Sequence, residues 1–426
     1  MEALMKLDDF FPYQVCINLD KRADRWRQMQ AKFAEHDLRR VVRSPAADGQ
    51  ELAIPTFWDD FPGAYGCLRS HLAVVEQARA EGLPSVLIFE DDAVLAPEFN
   101  ARFAAYSRQL PDDWDMVFFG AIHQEPPQRI SDNVMRVTHS LSTYAYAIKQ
   151  TIFDRYIDLN RQALTVLDEN TRALQREFNC YCFMPHLAWV EEDFSDVREE
   201  TMNLWWLKES LVLWGPEMDD ILKRTALIIS QRGGNNAARR NLSFLVDYYA
   251  RKLPGVALLV IEQGDAQRVD PQTLAPQCGY EFLIAPAGAG GSRGFNRGVE
   301  LFGASKEFFI FLDGDVFLTR EDIKANLLKC REHDFASSFR AICELDEDDT
   351  LRLLGNDDRW NYNGKYEPRR KKDVCDSSCI ITSRGVRALG GWPETNGRTE
   401  RDMSARVEQS LRVFDSPGVA RRLFHG

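Results

Sequence analysis

Two apolar runs that end in carboxylates constrain this chain more than any other feature. Residues 85–95 read Ser-Val-Leu-Ile-Phe-Glu-Asp-Asp-Ala-Val-Leu, and residues 308–318 read Phe-Phe-Ile-Phe-Leu-Asp-Gly-Asp-Val-Phe-Leu. A short run that is apolar at every position predicts a strand inside a sheet covered on both faces. Ligands of such α/β sheets gather at the carboxyl ends of the strands. Adjacent carboxylates repel each other, and a divalent cation that holds a diphosphate gives them a reason to stand together. A solvated acidic loop explains either stretch alone equally well. The recurrence of the design in one chain favours the cation.

The chain has 426 residues, too many for one ordinary core, and two domains are expected. With 44% hydrophobic and 28% charged residues it is globular in composition. A net charge of −12 disfavours a nucleic-acid partner. No apolar run approaches the ~20 residues of a membrane span. The start, Met1-Glu-Ala-Leu-Met-Lys, lacks the basic residues and apolar core of a signal peptide. The expectation is a cytoplasmic protein, with peripheral contact at the inner membrane face as an extension of it. Nine scattered cysteines point to reduced thiols and not to a disulfide framework. The pairs Cys180/Cys182 and Cys375/Cys379 lack the spacing of zinc knuckles. No nearby histidine completes a four-ligand set, so buried thiols are expected there.

In the first half, residues 13–19 predict a strand that passes into a helix running from Asp20 to about His36, with Asp20 and Asp24 at its N-terminus. No Gly-x-Gly-x-x-Gly is present, which argues against a dinucleotide site. A short strand at 41–43 and the turn Ala47-Asp-Gly49 follow. Residues 63–71 read Gly-Ala-Tyr-Gly-Cys-Leu-Arg-Ser-His, with Ser70 expected to cap a helix over 72–81 whose N-terminus offers amides to an anion. The simpler reading of that spacing is a capped helix with His71 packed beneath it. Further strands are expected at 116–120 and 142–148.

Taken together, residues 13–198 resemble glycosyltransferase family 25. The resemblance rests on Ile17-Asn-Leu-Asp-x-Arg-x-Asp-Arg25, Ala47-Asp-Gly49, Gly66-Cys-x-x-Ser-His71, Glu90-Asp-Asp92, Thr143-Tyr-x-Tyr146, Val166-Leu-Asp168, Pro185 and Ser195-Asp-Val197. It implies a GT-A-type nucleotide-sugar fold, a divalent metal, and transfer with inversion. On this resemblance Asn18, Arg22, Arg25, Asp48, Ser70 and His71 belong to the donor side, Asp91 and Asp92 to the metal, and Asp168 is the candidate base. Glu90 is expected to support the site. The acidic Glu191-Glu-Asp193 departs from the more neutral stretch expected there, which bears on the acceptor.

Residues 204, 207, 211 and 214 are apolar at helical spacing and predict a buried helix in the connector at 201–223, with a membrane-surface helix as the alternative. From 224 the chain begins afresh. A strand at 224–230 leads to a helix with Arg239 and Arg240 at its start, then strands are expected at 256–262 and 284–286. Residues 288–298 form a Gly- and Arg-rich stretch, expected as a loop whose Arg293 or Arg297 meets phosphate oxygens. The Gly-Lys-Ser/Thr ending of a P-loop is absent. Asp313-Gly-Asp315 then ends the second apolar run.

This order resembles the GT-A fold of glycosyltransferase family 2 and its chondroitin-polymerase and β4-galactosyltransferase-like relatives. Gly390-Gly-Trp-Pro-Glu394 and Thr399-Glu-Arg-Asp402 with Arg406 fit that likeness. It implies Arg232, Glu262, Arg293, Asn296, Arg297 and Asp313 on the donor side, Asp313, Asp315 and His425 at the metal, and Glu400 or Asp402 as base. The fold class expected is therefore α/β, with two tandem GT-A-like, Rossmann-like nucleotide-sugar-binding domains at 1–200 and 224–426.

Chemically, a carboxylate deprotonates the acceptor hydroxyl while Mn2+ or Mg2+ neutralises the departing diphosphate. The activity expected is a bifunctional hexosyltransferase using a UDP-sugar and a glycan acceptor, lipid-linked in one version, in lipopolysaccharide or other surface-polysaccharide synthesis. One active domain beside a degenerate acceptor-binding module, or a protein or peptide acceptor, are the alternatives. A nucleotidyltransferase would carry a Gly-rich lysine loop near its first strand, and neither half has one.

Overall fold

The computed structural model describes residues 6–232, 234–285, 292–355, 369–370, 378–392 and 399–424. The chain divides into two compact units, Met1–Leu211 and Val212–Gly426, each of mixed α/β architecture.

The first unit is built on an eight-stranded sheet. Its order is Val41–Pro45, Gln14–Asn18, Ser85–Glu90, Ala145–Lys149, Met116–Phe118, Cys180–Phe183, Val134–Arg136, Gln128–Arg129. The first three strands are parallel, and Ala145–Lys149 runs antiparallel to both of its neighbours. Every residue of Gln14–Asn18 is buried, as is Ser85–Glu90 up to its last residue, as expected of central strands covered on both faces. The helix Pro62–Ala80 buries Leu68, Leu72, Val75 and Ala78 against Val15, Ile17, Val86 and Ile88 in one core. Phe99, Phe103, Phe119 and Phe183 form a second aromatic packing set, with Phe103 stacked on Phe119 at 5.8 Å.

That helix corrects the expectation for residues 63–81. It starts at Pro62, where proline suits the first turn, so Ser70 and His71 lie in mid-helix and Ser70 caps nothing. Ser70 Oγ instead donates to Gly66 O at 2.7 Å and accepts from Ala47 N at 2.8 Å. Gly66 has the matching role: a Cβ there would stand 2.5 Å from Ala47 O and 2.6 Å from Gly49 N. The glycine and serine seat the 47–49 turn on the helix and do not form an anion loop.

The second unit carries a seven-stranded sheet ordered Cys278–Ile284, Ala257–Gly264, Thr225–Arg232, Phe308–Asp313, Cys379–Thr382, Phe335–Ala336, Val413–Phe414. The first four are parallel and Cys379–Thr382 is antiparallel to Phe308–Asp313. The strand expected at 284–286 is therefore Cys278–Ile284, ending where the expectation began. Ser292–Phe302 is a helix, so Arg293, Asn296 and Arg297 are helical and not on a loop; residues 286–291 lie outside the described residues. Gly298 lets that helix approach the sheet, since a Cβ would meet Ile228 at 2.5 Å.

The connector is not one helix. Trp205–Glu209 is a 3-10 turn, followed by Ser210–Leu213 and Pro216–Lys223. Pro216 starts a new helix because it cannot continue the previous one. Trp206 and Leu207 are buried in the first unit, while Trp214 lies under Arg320 and Lys324 in the second, each 4.5 Å from its ring. Among the described residues no helix is long and apolar enough to cross a membrane, and the cysteines are free thiols, mostly buried.

Candidate functional site

The acid-ended strand of the first unit, Ser85–Glu90, lies between that unit's first strand and an antiparallel strand, with Ile17 facing Glu90 and Ala145 facing Phe89 in register. Glu90 and the turn Asp91-Asp92 therefore emerge beside Asn18, at the carboxyl ends of the parallel strands. Asn18 Nδ2 donates to Asp91 Oδ2 at 2.6 Å, and its Oδ1 accepts from Arg43 Nε at 2.7 Å, which fixes the amide. Arg25, on the helix Ala23–Glu35 and 5% exposed, places Nη1 3.2 Å from Asp91, 3.9 Å from Asp92 and 3.4 Å from Asp196. Its Nη2 lies 2.8 Å from Asp193 and also bonds the Phe194 carbonyl. Arg22 pairs with Asp196 and Asp24. Asp48 is held by Lys21 at 2.5 Å, which keeps its carboxyl below the usual range.

The three acids differ electrically. Burial pushes Glu90 up, but His71, Thr143 and Arg25 outweigh it and hold the carboxyl below its ordinary value. Thr143 Oγ1 donates to Glu90 at 2.8 Å, and His71 Nε2 lies 3.4 Å from it. His71 Nδ1 meets Tyr146 OH at 3.1 Å, and Tyr146 OH meets Tyr156 OH at 2.9 Å. Glu90 is thus tied into the protein as a supporting group. Asp91 is raised by burial despite Asn18 and Arg25. Asp92 is raised to about 7 by burial and by Glu90, with Arg25 opposing. Its Oδ1 is buried without a hydrogen-bond partner. Two carboxylates held close with raised pKa values and an orphaned oxygen fit a hard cation that takes oxygen ligands. Asp91 and Asp92 are the residues that could hold it.

Asp168 opens the helix Leu167–Glu177, and its Oδ1 accepts from Ser142 N at 2.8 Å. Ser142 has φ of 89°, a left-handed conformation unusual for serine, and Asp168 holds it there. Burial, with Glu90 nearby, raises the Asp168 carboxyl, which makes it a stronger base than an exposed aspartate. Ser70 and His71 serve the helix and Glu90 respectively.

In the second unit, Ser230 faces Asp313 in register, and Gly314 N donates to Ser230 O at 3.0 Å. A Cβ at Gly314 would sit 2.0 Å from Gln231 Oε1, so the Gln231 side chain lies close over the glycine. Arg232 stands 3.6 Å from Asp313 and Arg422 3.9 Å from Asp315, so a guanidinium is loosely placed beside each acid. Glu262 is fully engaged: it accepts from Arg268 N at 2.8 Å, Val269 N at 3.1 Å and Tyr280 OH at 2.5 Å. It shapes the loop after its strand. Asn296 brackets Trp392, donating to its carbonyl and accepting from its amide, both at 2.8 Å, and so fixes the Gly390-Gly391-Trp392 turn. Arg297 bridges Glu281 and Glu300, and Arg293 donates to Ile284 O. Glu400 and Asp402 fall in the first turn of Thr399–Ser410, with side chains outside the described residues; His425 also lies outside them.

Sequence reasoning missed the acids that answer Arg25. Asp193 and Asp196 are far from Arg25 along the chain; the excess acidity at 191–193 and the motif Ser195-Asp-Val197 contained them but gave neither a role. It also missed Lys32, whose Nζ donates to Ala93 O at 2.9 Å just beyond the acids and whose burial lowers its pKa.

The model of glycosyltransferase family 25, described as LPS biosynthesis proteins, matches residues 62–171, a stretch holding His71, Glu90, Asp91, Asp92, Thr143 and Asp168. The chain is similar to a human protein named inactive glycosyltransferase 25 family member 3, with 27% identity over 158 residues that cover 31% of this chain and 26% of the relative. It is similar to a Drosophila pseudoobscura glycosyltransferase 25 family member, with 28% identity covering 31% of this chain and 25% of the relative. A bovine relative, named probable inactive glycosyltransferase 25 family member 3, is 26% identical over 26% of this chain. The chain spans about a quarter of the length of the curated relatives it matches. The residues matched by the family model all lie in the first unit.

Proposed function

We propose that the protein is a metal-dependent, inverting glycosyltransferase that moves a hexose from a nucleotide-sugar donor, a UDP-sugar first among them, to a glycan acceptor. The observation that carries the reading is the shared placement of the acids. In each unit an acid-ended strand lies between the unit's first strand, parallel to it, and an antiparallel strand. This supports two GT-A-like units, the second resembling family 2. In the first unit Asp91 and Asp92 would hold Mn2+ or Mg2+, which supplies charge neutralisation for the leaving diphosphate. Asn18 and Arg25 orient the Asp91 carboxylate, Glu90 braces the strand end, and Asp168 is placed to accept a proton from an acceptor hydroxyl. In the second unit Asp313 and Asp315 would hold the metal, and Glu400 or Asp402 would serve as the base.

A second reading has two observations behind it. Arg25 already sets a cation against Asp91 and Asp92, and of the relatives described above one is named inactive and another probable inactive. On that reading the first unit binds acceptor glycan and the second unit transfers. Calorimetry of the full chain with UDP-, GDP- and CMP-sugars, with and without Mn2+, tests the proposal; donor hydrolysis by Asp92→Asn and Asp315→Asn variants then separates the two readings. Absence of any metal-dependent nucleotide-sugar binding would sink both.

A further inference from the structure

A second cluster in the first unit has a different chemistry from the carboxylates. His123, Cys182 and His186 are all buried, and one ligand atom of each lies within 4.8 Å of the other two. They come from three pieces of chain. His123 ends the short strand Ile122–His123, Cys182 lies in Cys180–Phe183, and His186 follows in the loop leading to Ala188–Trp189.

Each piece is pinned by main-chain bonds. His123 is in register with Ser140, and Cys182 is paired on both sides, with Phe118 and with Met135. Leu187 N and Ala188 N both donate to Phe119 O, at 2.7 and 3.0 Å. The imidazole of His123 is also oriented: its Nδ1 lies 2.7 Å from Ser140 Oγ, which leaves Nε2 as the coordinating nitrogen. Ser140 is clamped in turn by Gln175, which accepts from its amide at 2.8 Å and donates to its carbonyl at 2.7 Å. An outer hydrogen bond of this kind, itself anchored, is how proteins fix the ring of a metal-ligating histidine.

We propose that His123, Cys182 and His186 form a buried site for a borderline-soft divalent cation of the Zn(II) class, tying together the strands and loop that carry them. Two imidazoles and a thiolate prefer such a cation over the hard Mn2+ or Mg2+ suited to carboxylates. Metal–ligand bonds of about 2.0–2.3 Å set the ligand atoms of a tetrahedral site about 3.3–3.8 Å apart, so the three atoms, all within 4.8 Å of one another, would draw together on binding. On binding, the Cys182 S–H gives its proton to solvent and the sulfur bonds the metal, with no change of oxidation state. The expectation of buried thiols rested on sequence spacing; in space two histidines stand beside Cys182, which gives three ligands.

The test uses the full chain purified without chelator. Metal analysis is expected to give about one zinc per chain, and exchange with Co(II) to give a thiolate-to-cobalt charge-transfer band. That band is expected to vanish in Cys182→Ser and to persist in Cys67→Ser, which alters the thiol of the neighbouring Cys67–His71–Glu90 group. Ser140→Ala is expected to weaken Co(II) binding by about tenfold or more. A wild-type protein that binds neither zinc nor Co(II) stoichiometrically overturns the proposal, whether or not the variants fold. So does a band that survives Cys182→Ser.

Discussion

Arg25 Nη1 stands 3.2 Å from Asp91 Oδ1, and the same guanidinium reaches Asp92, Asp193 and Asp196. One buried cation thus organises four carboxylates at the strand end. Removing one partner of a buried charge network leaves the others uncompensated, at a cost of about 3–5 kcal/mol. Arg25→Ala is expected to lower stability by about that much in urea unfolding, and Arg25→Lys to recover only part of it, because an ammonium lacks the planar fork. An Arg25→Ala protein as stable as wild type would show that the acids do not depend on it.

Gly66 and Ser70 are assigned to seating the 47–49 turn. Gly66→Ala forces a Cβ to 2.5 Å from a main-chain oxygen and is expected to cost about 1–3 kcal/mol. Ser70→Ala removes two hydrogen bonds and is expected to cost about 1–2 kcal/mol. Thermal melts of the two variants check both values. If Ser70 bound donor instead, Ser70→Ala would leave the melt unchanged and raise the donor Kd.

Glu262 accepts from two main-chain amides and a tyrosine hydroxyl. Glu262→Ala leaves those donors unsatisfied and is expected to cost about 2–3 kcal/mol. Its effect on donor affinity is expected to follow the loop's stability, so that Glu262→Gln, which keeps an acceptor, restores most of both. Calorimetry beside a melt reads this directly.

Lys324 is buried over the Trp214 ring, and burial, with Arg320 adding to it, lowers its pKa from 10.5 to about 8. The folded state therefore disfavours the charged form. Below pH 8 both states are protonated and folding bears the full penalty. Between about 8 and 10.5 the unfolded chain keeps the proton that the folded chain has lost, so stability rises with pH by up to about 1.4 kcal/mol per unit. The difference between wild type and Lys324→Met isolates this from other groups: it is expected to shift toward wild type as pH rises through that window. A difference flat in pH would show that the cation–π contact and the Leu213 carbonyl, 3.0 Å from Nζ, offset the burial.

Strands at 85–90 and 308–313 were legible because uniform apolarity has one common explanation, a covered central position. The start of the helix at 62 was not, because Gly63 and Gly66 read as a loop when their close neighbours, the Val197 and Ala47 carbonyls, are far away in sequence. The same limit hid the helix around Asn296 and Arg297. Asp91 and Asp92 announced themselves by mutual repulsion. Their answer, Arg25 with Asp193 and Asp196, depended on long-range pairing that spacing does not record. Glu262 was legible only as a carboxylate at a strand end; its bonds from Arg268 N, Val269 N and the Tyr280 hydroxyl depend on the fold of the loop that follows.

The central claim is that the acid-ended strands hold a divalent cation and a nucleotide-sugar. The most direct measurement is Mn2+-dependent binding of UDP-sugar to the full chain by calorimetry, compared among wild type, Asp92→Asn, Asp315→Asn and the double variant. The account predicts metal-dependent binding that each single change reduces and the double change abolishes. Binding that is independent of Mn2+, or that the double variant retains at wild-type affinity, would contradict it.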